Sequence, residues 1–179
     1  MTKVISLTGL DGTGKTTQAQ NICKFITKHK YSCTVVHVGS ANIIPISSDK
    51  KINVLAGYLG LIKDLIHIWL RYISNSSADY IIFDRYIYDS IVKISYKTGI
   101  NLNLNWIEKF VPQPTLSLHL QASSTTTQKR DQEHQASYYV EKANLYIKIA
   151  KTFNLTTVDA NLTTIAVFKK IRQNLVHIL

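Results

Sequence analysis

The sequence predicts an α/β fold, a doubly wound parallel five-stranded sheet with helices on both faces. Short apolar runs rich in β-branched residues alternate along the chain with stretches in which apolar residues recur at helical spacing. This alternation is typical of right-handed βαβ crossovers. A glycine-rich turn also separates the first apolar run from the first helical stretch. Such a turn favours a ligand site at the carboxyl ends of the strands.

The predicted strands are short apolar segments bounded by turn-forming residues. In a parallel sheet both faces of each strand are covered, so continuous apolar runs are expected instead of strict alternation. Pro112 and Pro114 break the chain before the fourth strand, because proline cannot donate a hydrogen bond to the ladder. The strands are predicted at residues 3–8, 34–38, 80–84, 115–121 and 155–159.

The segments between the strands are predominantly helical. In the first of them Ala19, Ile22, Cys23 and Ile26 form one apolar face. Residues 39–51 are expected to form an irregular loop, and the polar residues at about 123–136 a small lid within a single domain that spans residues 1–179. Helices are predicted at residues 15–28, 52–74, 86–97, 105–110, 138–153 and 163–179.

Composition argues against several classes of protein. The chain has 179 residues, of which 45% are hydrophobic and 18% charged, a globular composition. Two cysteines without C-x-x-C spacing argue against a disulfide framework and favour a reducing, cytoplasmic location. The most apolar stretch, residues 59–73, is too short to span a bilayer and contains charged residues. We therefore expect a soluble protein without membrane association.

The formal net charge of +10 is high for a chain of this length and implies an attraction to polyanions. The cations are scattered without a long basic run, which favours a solvated basic surface over a nucleic-acid footprint. The expected partner is a small-molecule nucleotide. The histidines other than His67 show no metal-ligand spacing and are interpreted as structural or exposed.

A phosphate-binding loop, or P-loop, follows the first strand. Residues 9–16 match the pattern G-x-x-x-x-G-K-[ST] in full. In such a loop, backbone N–H groups at a helix N-terminus hold the phosphates, the lysine reaches the β- and γ-phosphates, and the threonine completes a Mg²⁺ shell. We therefore predict that Lys15 is catalytic and that Thr16 binds the metal. The predicted ATP-binding residues are Gly9, Leu10, Asp11, Gly12, Thr13, Gly14, Lys15, Thr16 and Thr17.

An aspartate and an arginine close the third strand. Asp84, Arg85 and Tyr86 follow the apolar residues 80–83, and the carboxyl ends of parallel strands face the ligand crevice. An aspartate there can hold Mg²⁺ through water, and the arginine can contact the transferred phosphoryl group. We predict that Asp84 binds the metal and that both Asp84 and Arg85 are catalytic. The alternative is an Asp–Arg pair that only closes a strand.

These two motifs resemble the thymidylate kinase family of nucleoside monophosphate kinases, and the resemblance covers most of the chain. Residues 114–121 resemble the family's Pro-led fourth strand, 129–133 its basic lid, 139–151 the helix after the lid, and 157–160 the strand that leads to the adenine-binding loop. The resemblance implies a P-loop nucleotide-kinase fold with ATP and Mg²⁺ as the donor. It implies a deoxynucleoside monophosphate as the acceptor, most directly dTMP converted to dTDP, and a homodimer.

The resemblance also implies which residues bind the acceptor. Asp11 matches a family residue near the sugar and phosphate of the acceptor. His67 and Arg71, four residues apart on one helix face, resemble a base-stacking ring and a base-contacting arginine. The implied substrate-binding set is Asp11, His67, Arg71, Arg85 and Tyr86.

Two departures from the family pattern concern positive charge. After its second strand the family has an arginine that grips the acceptor phosphate, whereas residues 38–42 here contain none. Gly12 and Thr13 stand where some relatives carry a P-loop arginine, so a cation for the transferred phosphoryl group must come from another segment. Lys129 and Arg130 are the candidates, and Arg130 is predicted to be catalytic because its planar fork can bind two oxygens.

Three alternatives remain open at the level of sequence. A kinase of a nucleoside or another small molecule would suit the missing acceptor-phosphate arginine. A nucleotide-binding protein with little turnover would suit the same departure and the net charge. A GTPase-type switch is disfavoured, because the chain contains neither Asn-Lys-x-Asp nor Asp-x-x-Gly after the third strand.

Overall fold

The computed structural model describes residues 2–39, 49–99 and 106–179. Within these ranges five strands form one parallel sheet in the order β2-β3-β1-β4-β5, which confirms the predicted fold. The strands are β1 (Lys3–Thr8), β2 (Cys33–His37), β3 (Tyr80–Asp84), β4 (Leu116–Gln121) and β5 (Thr156–Asp159). The helices are α1 (Lys15–Lys28), α2 (Lys50–Ser74), α3 (Ile87–Thr98), α4 (Ser124–Arg130), α5 (Ala136–Thr152) and α6 (Thr164–Leu175), with a 3-10 helix at Ile107–Phe110.

Helices cover both faces of the sheet because successive strand residues point to opposite sides. Val4 and Phe83 pack into a buried cluster with residues of α2, α3 and α5. Their neighbours Ile5 and Ile82 pack into a second cluster with residues of α1 and α6. Both faces of each central strand are therefore buried, which explains the continuous apolar runs in the sequence.

The helix α4 lies in the polar stretch where the sequence shows no apolar periodicity. Ser123 caps it, since its Oγ accepts a hydrogen bond from the backbone N–H of Thr126 at 3.1 Å. Only Thr127 of this seven-residue helix is buried, so the pattern that signals longer helices is missing. Other helix ends also differ from expectation: α2 begins at Lys50, where Asp49 caps it, α5 begins at Ala136, and α6 ends at Leu175. Residues 40–42 of the predicted arginine-free segment lie outside the described residues.

The strand register brings four polar side chains to the carboxyl edge of the sheet. Asp84, the last residue of β3, pairs with Leu7 of β1 and with His37 of β2. Thr8 of β1 pairs with His119 of β4. The phosphate-binding loop follows Thr8 directly, so this edge carries the candidate site.

His119 is buried at this edge as a neutral ring. It is 2% exposed, its ring stacks on that of Tyr146 with a centroid distance of 6.1 Å, and its Nδ1 lies 3.4 Å from the Thr157 hydroxyl. Burial, together with the charge of Lys15, lowers the pKa of His119 to about 4. The fold therefore favours the neutral ring.

A pH titration of stability tests this burial. Because an unfolded histidine has a pKa of about 6.5, the stabilisation is present above that pH and is lost as the pH falls from 6.5 towards 4, by on the order of 3 kcal/mol. Between about pH 7 and pH 4 the free energy of unfolding of the wild type should fall by this amount more than that of His119→Gln. Denaturant unfolding of both proteins across this pH range measures the difference. Parallel pH profiles for the two proteins would contradict the prediction.

One face of α2 is buried and the opposite face is apolar and exposed. Ala56, Leu61, Asp64 and Ile68 are buried on the inner face. The outer face is hereafter called the α2 seam. From Ile52 to Ile73 its residues recur alternately at intervals of three and four, and Leu70 adds an apolar side chain next to Trp69. Its members are each between 41% and 62% exposed: Ile52, Leu55, Leu59, Ile62, Ile66, Trp69, Leu70 and Ile73.

The helix α2 is also long and apolar enough to cross a membrane over Lys51–Ser74, with a third of the relevant window buried inside the fold. By itself this is weak evidence for a membrane span. In this structure the inner face packs on the sheet and on α3. The exposed apolar surface of α2 itself is therefore on its outer face, the α2 seam.

Candidate nucleotide-binding site

The loop between β1 and α1 requires glycine at two positions. Gly9 has a φ of 149°, and a Cβ there would lie 2.5 Å from the Leu120 carbonyl oxygen. Gly12 has a φ of 81°, and a Cβ there would lie 2.9 Å from the Thr127 carbonyl oxygen. β4 and α4 approach the loop this closely only because these residues lack side chains. The helix α4 therefore covers the phosphate-binding loop, as a lid would.

Lys15 folds back over the loop at the start of α1. Its Nζ donates hydrogen bonds to the carbonyl oxygens of Gly9 at 2.7 Å and Leu10 at 2.9 Å, and lies 3.7 Å from Asp11 Oδ1. Burial lowers the pKa of Lys15, and the charge of Arg85 lowers it further. An ammonium group that donates to loop carbonyls at a helix N-terminus can exchange them for phosphate oxygens.

Asp84 and Thr16 form the part of the site that suits a metal ion. Asp84 is 2% exposed, and its Oδ2 accepts a hydrogen bond from the Thr16 hydroxyl at 2.6 Å. His37 Nδ1 lies 3.3 Å from the same oxygen. The second carboxylate oxygen, Oδ1, is buried without a hydrogen-bond partner among the described residues. A buried carboxylate oxygen with spare capacity beside a hydroxyl is the oxygen-rich environment that Mg²⁺ prefers.

Arg85 and Asp11 form an ion pair beside Lys15. Arg85 Nη2 lies 2.5 Å from Asp11 Oδ1, and the Arg85 backbone adopts a φ of 74°. Burial raises the pKa of Asp11, but the charges of Lys15, Arg85 and Lys142 outweigh it and lower that pKa to about 2. Burial lowers the pKa of Arg85, but the negative charges of Asp89 and Asp11 outweigh this effect and raise it. Both groups are therefore charged near neutral pH, and Arg85 is held over the loop in a strained backbone conformation.

A cavity of about 440 Å³ opens beside this pair, hereafter the acceptor-side cavity. Its volume is within the range of about 300–1,000 Å³ that small-molecule sites show. It contains charged groups, aromatic rings and the carboxyl end of β2. The lining residues are Asp11, His37, Gly39, Arg85, Asp89, Lys93, Tyr96, Lys97, His134, Tyr138, Lys142 and Tyr146.

Two charged residues of this lining escaped the sequence analysis although they are buried. Asp89 Oδ2 accepts hydrogen bonds from the Thr8 hydroxyl at 2.8 Å and the Tyr86 backbone N–H at 3.0 Å, and its Oδ1 accepts one from the Tyr146 hydroxyl at 3.0 Å. It thus ties β1, α3 and α5 together next to the site. Lys142 lies on the buried face of α5, where the other buried residues are apolar or aromatic. A charged residue at such a position is unusual, and this is the signal in the sequence that could have identified it.

The sequence profile described as Thymidylate kinase matches residues 7–175 of the chain. The chain belongs to the thymidylate kinase family. The match includes the phosphate-binding loop, the Asp84-Arg85-Tyr86 motif and all six helices. The resemblance inferred from the two motifs is therefore confirmed.

Relatives from archaea agree with this assignment to the thymidylate kinase family. The chain is 30% identical over 176 residues to a protein of Saccharolobus solfataricus named probable thymidylate kinase 1, covering 90% of each chain. It is 26% identical over 194 residues to a probable thymidylate kinase of Methanosphaera stadtmanae, covering 98% of each. A solved structure of deoxyadenosine kinase from M. mycoides with bound dATP has a TM-score of 0.63 at 16% identity, over 97% of this chain and 98% of that one. That likeness concerns the fold alone.

Three residues that the family resemblance implied for substrate binding do not line the acceptor-side cavity. His67 and Arg71 contact each other through Arg71 Nε and His67 Nε2 at 3.1 Å. They occupy the last two turns of α2, which lead to the amino end of β3, whereas Asp84 and the loop lie at its carboxyl end. Tyr86 is 1% exposed in the core and donates its hydroxyl to the Pro112 carbonyl. Only Asp11 and Arg85 of the implied set line the acceptor-side cavity, because α2 returns along the sheet before β3 begins.

Arg130 lies on the other side of the phosphate-binding loop from the acceptor-side cavity. Its Nη1 donates to the Ala160 carbonyl at 3.0 Å, in a second cavity of about 350 Å³ formed by the loop, α1 and the start of α6. Lys129 is exposed. The two cavities share no lining residue. The contact of Arg130 with the transferred phosphoryl group stays a prediction, and its place in the second cavity gives the alternative of contact with the nucleoside part of ATP.

A kinetic comparison separates these two roles for Arg130. On the geometry of the second cavity, Arg130→Ala should raise the KM for ATP by about 10-fold or more, the size of one charge-assisted contact, and change kcat far less. An arginine that acts on the transferred group would instead lower kcat by about 10³-fold or more. Steady-state kinetics with ATP as the varied substrate measure the difference, and Lys129→Ala serves as the control. A large kcat loss at constant KM would support the prediction made from the sequence.

Proposed function

We propose that the chain catalyses ATP-dependent phosphorylation of a nucleoside monophosphate, with dTMP as acceptor and dTDP as product. The observation that carries this proposal is the convergence of three features at one edge of the sheet. These are the P-loop with Lys15, the Asp84–Thr16 pair, and a charged cavity that contains Asp11 and Arg85. The names of the archaeal relatives agree with this activity.

Each group has a defined task in this reaction. Lys15 leaves the Gly9 and Leu10 carbonyls to contact the phosphates of ATP, and the N-terminus of α1 supplies backbone N–H groups. Thr16 and Asp84 would hold Mg²⁺, which would supply positive charge against the phosphate oxygens of ATP. Arg85, which points into the acceptor-side cavity, contacts the group that is transferred. Residues 123–136 act as a lid of the single kinase domain and exclude water.

An acceptor panel tests the proposed function. ADP release, coupled to a reporter reaction, is measured with ATP and Mg²⁺ against dTMP, other nucleoside monophosphates and the corresponding nucleosides. We expect saturable turnover with dTMP and much weaker turnover with thymidine. Turnover of nucleosides alone would establish the rival kinase, and ATP binding without turnover of any acceptor would establish a nucleotide-binding protein.

The excess of cations in the acceptor-side cavity weighs against an uncharged acceptor. Arg85, Lys93, Lys97 and Lys142 line it with only two carboxylates, Asp11 and Asp89. The described lining residues therefore carry a net positive charge, which the roughly two negative charges of a monophosphate at neutral pH complement better than an uncharged nucleoside does. A soluble, cytoplasmic enzyme of nucleotide metabolism is consistent with this chemistry.

We also propose that the α2 seam forms a homodimer interface. Its alternating spacing of three and four residues is the pattern by which one helix packs along another. An identical helix related by a two-fold axis offers the matching pattern. The apolar surface extends beyond the helix, since Trp69 Nε1 donates to the Phe110 carbonyl at 2.9 Å and Phe110 is 56% exposed. A second copy of the chain would therefore cover it.

Light scattering after size-exclusion chromatography measures the oligomeric state. The wild type should elute as a dimer, and the double variant Leu59→Asp, Ile66→Asp as a monomer, because each aspartate would be placed in an apolar contact. Gln173→Asp, on the exposed part of α6, adds charge away from the seam and should stay dimeric. A monomeric wild type, or one that sediments with lipid vesicles, would contradict the proposed interface.

A further inference from the structure

Positive charge in the acceptor-side cavity is concentrated around one carboxylate. Asp11 lies 2.5 Å from Arg85 and 3.7 Å from Lys15 through Oδ1, and 3.9 Å from Lys142 through Oδ2. Asp89, the other carboxylate that lines the cavity, accepts three hydrogen bonds from neutral groups, and its charge also favours the charged forms of Arg85 and Lys142. The described lining residues nevertheless include four cations, Arg85, Lys93, Lys97 and Lys142, and two carboxylates. The cluster therefore favours binding of a further anion.

Lys142 is the cation of this cluster that comes from a helix distant in sequence from the phosphate-binding loop. Its side chain is 8% exposed and comes from α5, after the lid. Nζ donates to the Tyr138 hydroxyl at 2.8 Å and lies 4.7 Å above the centre of the Tyr138 ring. Burial lowers the pKa of Lys142, and Asp11 raises it. Burying an ammonium this deeply is costly unless a strong partner is available.

The position of Lys142 identifies which phosphate it faces. Lys142 lines the acceptor-side cavity, whereas Gly12, Gly14 and Thr17 line the separate cavity that contains Arg130. Aromatic rings complete the same cavity as Lys142: Tyr96 and His134 contact Tyr138 with centroid distances of 5.3 Å and 3.8 Å. A nucleotide bound there could place its rings near these aromatics and its phosphate near the cluster around Asp11.

We propose that Lys142 binds the phosphate of the acceptor nucleotide, supplying from α5 the charge that residues 38–42 do not supply through an arginine. This inference rests on the proposed function. When the acceptor binds, its phosphate takes the place of Asp11 and Tyr138 as the principal partner of Nζ. Lys142 is then a determinant of specificity for a monophosphate over a nucleoside.

Lys142→Met tests this role, because methionine keeps the length of the side chain and removes its charge. Its KM for dTMP should rise between about 10- and 100-fold, the size of one charge-assisted hydrogen bond, with the KM for ATP changed less than about 3-fold. Lys142→Arg should recover most of the dTMP affinity. Lys148→Met, an exposed position on the same helix, should match the wild type. Circular dichroism and thermal melting of each variant verify the fold.

Calorimetric titration with dTMP and with thymidine separates this inference from the proposed function. Lys142→Met should lose affinity for dTMP and keep its affinity for thymidine. Equal losses for both ligands, or no loss for either, would show that Lys142 only positions Asp11 and Tyr138. Should the wild type turn over no monophosphate, the proposed function fails, and the calorimetric comparison still decides whether Lys142 recognises the phosphate.

Discussion

Lys15→Ala is expected to abolish phosphoryl transfer while the fold stays intact. Lys15 Nζ donates to loop carbonyls and lies near the carboxylate of Asp11, so its loss removes polar contacts of the loop and leaves the hydrophobic clusters between helices and sheet in place. In the reaction it is the cation that the loop presents to the phosphates, and removing such a group typically costs about 10²–10³-fold or more in kcat.

The measurement is single-turnover phosphoryl transfer from ATP, with far-ultraviolet circular dichroism to verify the fold. Lys28→Ala, at the exposed end of the same helix, is the matched control and should retain wild-type rates. Unchanged transfer in Lys15→Ala, together with an unchanged spectrum, would contradict the assignment of this loop as the phosphate site.

Asp84→Asn is expected to separate activity from stability. Removing the charge should lower kcat by about 10²-fold or more, because the Mg²⁺ that would neutralise the phosphates would lose an anionic group that holds it. The melting temperature should stay unchanged or rise, since a buried carboxylate oxygen without a hydrogen-bond partner is costly in the folded state.

Kinetics across a Mg²⁺ series and thermal melting test this prediction together. In Asp84→Asn the Mg²⁺ concentration for half-maximal rate should increase. Asp159→Asn is the matched control, because Asp159 also ends a strand of the same sheet but is exposed and accepts hydrogen bonds from Asn161. A lower melting temperature with a normal kcat would make Asp84 a structural residue that closes β3.

The local patterns of the sequence were sufficient to predict the fold and to place the phosphate-binding loop at the carboxyl edge of the sheet. Each strand is a contiguous apolar run, and the phosphate-binding loop is a contiguous motif between a strand and a helix. Asp84 and Arg85 could be placed at the carboxyl edge of the sheet from the sequence, because the end of a strand has a fixed place in a parallel sheet. The positions of His67 and Arg71 relative to that edge could not be predicted, since they depend on how far α2 runs before the chain turns into β3.

The sequence by itself determined which segments form strands and helices, and that a phosphate-binding loop opens α1, because these properties depend on residues close together in the chain. Only the tertiary structure decided which side chains meet across the sheet edge. Asp11 and Lys142 are far apart in sequence and contact each other because α5 packs against α3 above the loop. Arg130 is directed to Ala160 because α4 closes on Gly12. Such contacts depend on packing between distant segments, which no local spacing encodes.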